Sequence, residues 1–171
     1  MDDNTFVNPI AQCEISGPAF TEDNVFSAKR CYWGSSNLNN ITERMCAFEK
    51  DMRLARVEYF PYRLSDTSKD LLSPSTAQFD TDGAYGGKID GVVAVSQSVV
   101  IRRSIYIEEG GSLTIQPGVT LQFPLNTGIY AKGILSVGSL DGEKARLVPE
   151  STTWRGVYIK RCKYGNLILW M

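Results

Sequence analysis

The sequence predicts a mainly β protein: rungs of a right-handed parallel β-helix, with one short α-helix in an N-terminal closing element. Three observations carry this. In "GGSLTIQPGVTLQF" (residues 110–123), Leu113 and Ile115, then Val119, Leu121 and Phe123, alternate with other residues on either side of Pro117-Gly118. Alternation places each apolar set on one side of an extended chain. Proline fixes φ and lacks an N–H, whereas a hairpin would favour a primed turn such as Asn-Gly, so the corner reads as a bend in a coil of strands. The pattern also recurs: "GSLTI" starts at Gly111, "GILSV" at Gly133 and "RGVYI" at Arg155, 22 residues apart twice. Such a fixed period marks a solenoid, whose rungs bury their apolar faces only against neighbouring rungs. An antiparallel sandwich with chance spacing is the alternative.

Taken in order, the chain opens on an acidic "MDDNTFVNPIAQ", without the basic and apolar parts of a signal peptide. Ile41, Met45, Phe48 and Met52 fall on one helical face, and Asn40 with Glu43 resembles a capping box at its start. "ARVEYF" then alternates as a strand, with Val57 and Tyr59 on one side, and Pro61 ends it. Residues 65–85 are polar, contain Pro74 and read as a linker. This gives three parts: a closing portion at 1–64, the linker at 65–85, and rungs of a following module at 86–171. In those rungs Ile89 opens "IDGVVAV" one step before Gly111, with Val93 keeping an apolar position. Val99 and Ile101 match Leu121 and Phe123, and Glu143 breaks that series before Ala145. The end, "YGNLILWM", is apolar and lacks the polar cap that a solenoid terminus needs, so a fragment is expected.

A net charge of −1 gives no reason to expect nucleic acid or an anionic membrane as partner. No apolar run approaches the ~20 residues of a membrane span. The four cysteines, Cys13, Cys31, Cys46 and Cys162, form no CxxC pair and there is no histidine, so the usual zinc and iron-sulfur sites have little support. Disulfides are permitted, Cys31 with Cys46 for instance, but spacing does not give connectivity and buried thiols are the alternative.

Trp33-Gly34 after an extended segment, Ile41 with Arg44-Met45, and Phe60-Pro61-Tyr62 together resemble the element that closes a β-helix domain in the bark beetle, or Anakonda, family. "GGKIDG", "GSLTIQPGVTLQF", "GILSVGSLDGEKARLV" and Trp154-Arg155-Gly156 resemble the opening rungs of the next domain. The resemblance implies a large single-pass membrane protein of animal epithelia whose extracellular β-helix modules help build tricellular junctions. This chain would be the seam between two modules, joined to the membrane only through parts outside it. Partners would be other junction or cell-surface proteins, or like molecules on neighbouring cells. Cys31 and Cys46 stand where such closing elements often have Asn or Asp, which allows the two to bond.

Parallel β-helices also carry polysaccharide lyases and hydrolases, which need facing carboxyls, or calcium-binding carboxylates and a base. Glu108 and Glu109, as strand neighbours, point apart, and so do Arg102 and Arg103, read as a charged outer edge. Asp141 and Glu143 lie in a Gly-containing corner beside Lys144 and read as a solvated turn. "DTDG" (Asp80 to Gly83) has Gly91 where a calcium loop needs its distant glutamate. Trp33, Tyr59, Tyr62, Trp154 and Tyr158 could stack on sugars, although packing is the commoner use of large rings. No catalytic residue, metal or cofactor is therefore expected. The rival readings are a carbohydrate-binding or polysaccharide-degrading β-helix and a microbial adhesin. Asn40 begins the one N-x-[ST] acceptor, "NIT", and marks an N-glycosylation candidate in competition with its expected capping role.

Overall fold

The computed structural model describes residues 2–8, 10–21, 23–72, 79–81, 84–138, 143–160 and 168–169. The chain divides into two compact units, Met1–Ser75 and Thr76–Met171.

The first unit has short strands: β1 (Ile15–Ser16), β2 (Val25–Ser27), β3 (Met45–Cys46), β4 (Arg56–Glu58), β5 (Tyr62–Arg63) and β6 (Leu71–Leu72), with α1 (Leu38–Glu43) between β2 and β3. β1 pairs in parallel with β3, Ile15 opposite Met45, and β2 pairs in parallel with β4, Val25 opposite Arg56. A parallel bridge joins Thr5 to Tyr32, and the Arg63 N–H donates to the Cys31 carbonyl at 2.9 Å. These similar offsets define stacked turns of chain around a core that includes Ile15, Trp33, Leu38, Ile41, Met45 and Tyr62.

The helix is shorter than expected and begins earlier. Asn37, not Asn40, caps it: its side-chain oxygen accepts from the N–H groups of Asn39 (2.9 Å) and Asn40 (3.2 Å). It ends at Glu43 because Met45 is drawn into register with Ile15. Met45 and Phe48 are buried, as their apolar spacing demanded, but from β3 and the turn after it. Tertiary pairing here overrides a local helical pattern.

The second unit contains β7 (Asp80–Thr81), β8 (Ala84–Ile89), β9 (Val92–Val95), β10 (Val99–Ile107), β11 (Ser112–Ile115), β12 (Thr120–Phe123), β13 (Ile129–Ala131), β14 (Ile134–Val137), β15 (Arg146–Pro149), β16 (Val157–Ile159) and β17 (Ile168–Leu169). They form three parallel stacks. One is β9-β11-β14-β17; a second joins the start of β10 to β12 and β15; a third joins β8 and the end of β10 to β13 and β16. This is the architecture of a parallel β-helix. β11 and β12 lie in different stacks, so Pro117-Gly118, with Gly118 at φ +78, turns a corner and not a hairpin. Ile89, Ile107, Leu113, Ile115, Leu121, Phe123, Ile129 and Leu135 point inward and are buried.

The rungs are uneven. Leu113 lies between Val93 and Leu135, and the step back to Val93 is the shorter one, so β9 sits nearer in sequence than a uniform period gives. Val99 and Leu121 pair at the expected period, but Leu121 then meets Leu147, beyond Glu143, because the corner after β14 is longer. Val157–Ile159 stacks on Ile129–Ala131, so "RGVYI" belongs to a different face from "GSLTI" and "GILSV". Within 65–85, β6 pairs antiparallel with β5, and Phe79 is buried in the second core. The Pro74 region and the "YGNLILWM" side chains lie outside the described residues.

Candidate functional site

In the first unit, the residues that carry the family resemblance come together around α1. Trp33 is wholly buried and stacks on Phe6 at 4.5 Å between centroids. Gly34, at φ +71, lies against the Arg44 guanidinium, where a Cβ would stand 3.3 Å from Cζ. Arg44 in turn pairs with Glu14 at 3.0 Å. The Tyr62 hydroxyl donates to the Ser36 carbonyl at 2.9 Å, and its ring meets that of Phe60 across the cis Phe60-Pro61 bond. Beside α1 opens a polar recess of about 350 Å³ whose lining includes Asn8, Gln12, Ser35, Asn40, Glu43 and Arg44.

Cys46 is bonded to Cys13, with Cα atoms 5.6 Å apart, inside the ordinary range. The expected Cys31–Cys46 pair is therefore corrected. Parallel pairing of β1 with β3 carries the chain just before Ile15 alongside Cys46, whereas Cys31 points into the core. The Cys31 Sγ accepts from the Asn4 N–H and donates to the Lys29 carbonyl, both at 3.4 Å. Burial pushes its thiol pKa up, with the Asn4 N–H partly opposing. Cys162 lies outside the described residues.

In the second unit the notable outward feature is a column of tyrosines. Tyr106, Tyr130 and Tyr158 are in register on β10, β13 and β16. Their rings stack at 5.1 Å and 3°, then 4.9 Å and 15°. Tyr106 and Tyr130 are only 2% exposed, whereas Tyr158 is 55% exposed. The Lys132 ammonium lies 5.8 Å from the Tyr106 ring centroid, at the outer reach of a cation–π contact. Sequence reasoning named Tyr158 and missed the column. Its trace is the recurring triplet Ile-Tyr-Ile, Ile-Tyr-Ala, Val-Tyr-Ile, whose two steps are unequal and both longer than the spacing of the glycine anchors, so a search at that fixed period passes over it.

The remaining candidates do not converge. Glu108 faces Lys88 at 3.8 Å, and Glu109 is exposed. Glu143 is exposed, its backbone carbonyl accepting from Gly118, and Asp141 lies outside the described residues, as do Asp82 and Gly83 of "DTDG". Arg102 is on the surface 3.9 Å from Glu150. Arg103 is a correction: it is buried, and its Nη2 donates to the Gly86 carbonyl at 3.2 Å. Arg103 is two residues from the buried Ile101 and from the buried Ile105 on β10, so strand alternation turns it inward instead of along an outer edge. Tyr59 and Tyr62 are buried, and Trp154 packs flat on Phe123 at 4.4 Å. Among the described residues no group of three or more His, Cys, Asp or Glu is placed to hold a metal, and no helix is long and apolar enough to cross a membrane.

No family model matches this sequence, and no solved structure matches it. Protein bark beetle of Drosophila melanogaster does: it is 30% identical over an alignment of 128 residues, covering 70% of this chain. The two are distant relatives. The similarity exceeds the length of either unit, so it extends into both. This chain spans about 4% of the length of that relative.

Proposed function

We propose that this chain is a non-catalytic, extracellular β-helix segment of a cell-surface protein that organises epithelial junctions, at the septate or tricellular contacts where cells meet. The observation that carries the reading is the distant relation to protein bark beetle, which extends into both units. The parallel rungs supply what such a role requires. Within the second unit, continuous ladders and a shared apolar interior make a stiff stack that can hold surfaces at fixed separation. The Cys13–Cys46 bond suits an oxidising, extracellular setting. In this reading the segment belongs to a longer single-pass membrane protein, and its partners are other junction proteins or copies on neighbouring cells.

A carbohydrate-binding or polysaccharide-degrading β-helix is the rival. An open aromatic column or facing carboxyls would support it, but two rungs of the tyrosine column are buried and Glu108 is engaged by Lys88. The test is to tag the protein in its own epithelium and image it, together with a soluble form of this segment applied to the cell surface. Concentration at cell corners, with loss of corner integrity on depletion, is expected. A diffuse intracellular distribution would overturn the reading, and release of sugars from polysaccharide by the purified chain would replace it with the rival.

A further inference from the structure

The recess beside α1 has a chemistry of its own. Asn8, Gln12, Ser35, Glu43 and Arg44 help line about 350 Å³, at the small end of ligand-sized recesses (~300–1,000 Å³). Its charges are already engaged: Arg44 pairs with Glu14 at 3.0 Å and Glu43 with Lys50 at 2.9 Å. The rest of the polar lining is amide and hydroxyl groups, with Asn8 Oδ1 accepting from the Ile10 N–H at 3.2 Å and Ser35 Oγ from the Asn37 N–H at 3.0 Å, a chemistry that suits a neutral polyhydroxylated ligand better than an ion. Asn40 belongs to the same lining, is exposed, and begins the acceptor triplet Asn40-Ile41-Thr42. The conflict with a capping role disappears because Asn37 caps the helix.

We propose that Asn40 carries an N-linked glycan whose first N-acetylglucosamine lies in this recess, bracing the segment around Asn8 and Gln12 against α1. The inference rests on the extracellular reading above. In the transfer, Asn40 Nδ2 bonds to C1 of the sugar while the C1–O bond to a lipid diphosphate donor breaks. The bonding pair leaves with the diphosphate, and the amide gives up one proton to a base of the transferase. The proton that stays on Nδ2 can keep the existing hydrogen bond to Ser35 Oγ, 3.2 Å away. Thr42 is 4% exposed and its hydroxyl donates to the Asn39 carbonyl at 3.0 Å, so the triplet is closed to a transferase once α1 has formed. Transfer therefore precedes folding of this unit.

The test uses the full chain behind a cleavable secretion leader in animal cells, with peptide-N-glycosidase as probe. One glycan is expected, absent from Asn40→Gln and retained in Thr42→Ser. Release from the native protein should be roughly tenfold slower than from the denatured chain, since cleavage needs local opening of the recess. Gln12→Ala, at an exposed position, should move the native rate towards the denatured one. A secreted chain with the Cys13–Cys46 bond but no glycan overturns the modification and leaves the extracellular reading standing. A chain retained in reduced form overturns both. Equal release from native and denatured protein, or a native rate that Gln12→Ala leaves unchanged, overturns the docking of the sugar.

Discussion

Replacing Gly111 by alanine tests whether glycine at the corners of the second unit is there for rung spacing. A Cβ on Gly111 would stand 2.5 Å from the Ile89 carbonyl oxygen and 3.2 Å from that of Glu108. Reaching an ordinary 3.4 Å contact requires a shift of about 0.9 Å between chains that stack only ~4.8 Å apart. Two backbone bonds span that gap, Glu108 N–H to the Ile89 carbonyl and Ser112 N–H to the Gly91 carbonyl, both at 2.8 Å. Loss of both, at about 1 kcal/mol each, plus overpacking of ~1–3 kcal/mol, gives about 3–5 kcal/mol. The neighbouring Gly110 is the control: its φ is +88 and nothing lies within 4 Å of its absent Cβ, so alanine there meets backbone strain alone, ~1–2 kcal/mol. At roughly 2–4 °C per kcal/mol, Gly111→Ala should melt about 10 °C lower than the parent and Gly110→Ala about 5 °C lower. Circular dichroism melts give the comparison, and hydrogen exchange at Ser112 and Ile134 locates the damage. If Gly111→Ala melts no lower than Gly110→Ala, the steric argument is wrong.

Tyr130→Ala should destabilise the second unit by about 3–5 kcal/mol in urea unfolding, because it removes a buried ring and both stacks, whereas Tyr130→Phe keeps the stacks and should cost less than about 1.5 kcal/mol. Equal losses would assign the effect to the hydroxyl. Non-reducing peptide mapping should recover Cys13 linked to Cys46, and Cys13→Ser should cost about 3–4 kcal/mol for its 33-residue separation. In the same mapping Cys31 should resist alkylation at pH 8 until the chain is unfolded, since burial both shields its thiol and raises its pKa; rapid labelling of the native protein would contradict its place in the core.

What was legible in the sequence follows from what each stretch has to satisfy. "GSLTI" over "GILSV" was readable because both rung length and inward alternation are the same at Leu113 and Leu135. Further along the chain the same method failed: the corner after Val137 is longer than a uniform period allows, and a fixed period slid Glu143 under Leu121 where Leu147 belongs. In the first unit the alternation of "ARVEYF" was legible at Val57 and Tyr59, but its stacking on Val25–Ser27, and that of Met45 on Ile15, was hidden because the partner strands are too short for alternation to register. The helix was mislocated because Met45 meets a helical period and a strand partner equally well, and only the approach of Ile15 decides between them. Cysteine connectivity required that same parallel pairing, and no spacing along the chain encodes it.

Uneven steps also say where recognition can be built on the rungs of the second unit. The step from Gly87 to Ile105 is short and the step from Ile129 to Val157 is long, yet apart from Arg103 the inward columns stay apolar. Length variation falls mostly at corners, where adding residues costs little chain entropy; the irregularity inside β10, between Ile101 and Ile105, keeps both isoleucines inward, whereas a one-residue insertion within a strand would flip every inward side chain outward. Corners and outward columns can change without unstacking the rungs, and a surface that selects a partner has to be drawn from them. The tyrosine column is an outward set under a different constraint. Tyr106 and Tyr130 are held by burial, so substitution there is felt by the fold, and only at Tyr158 does the column present a ring to solvent. An outward position is therefore open to selection for binding only where its own rung leaves it exposed.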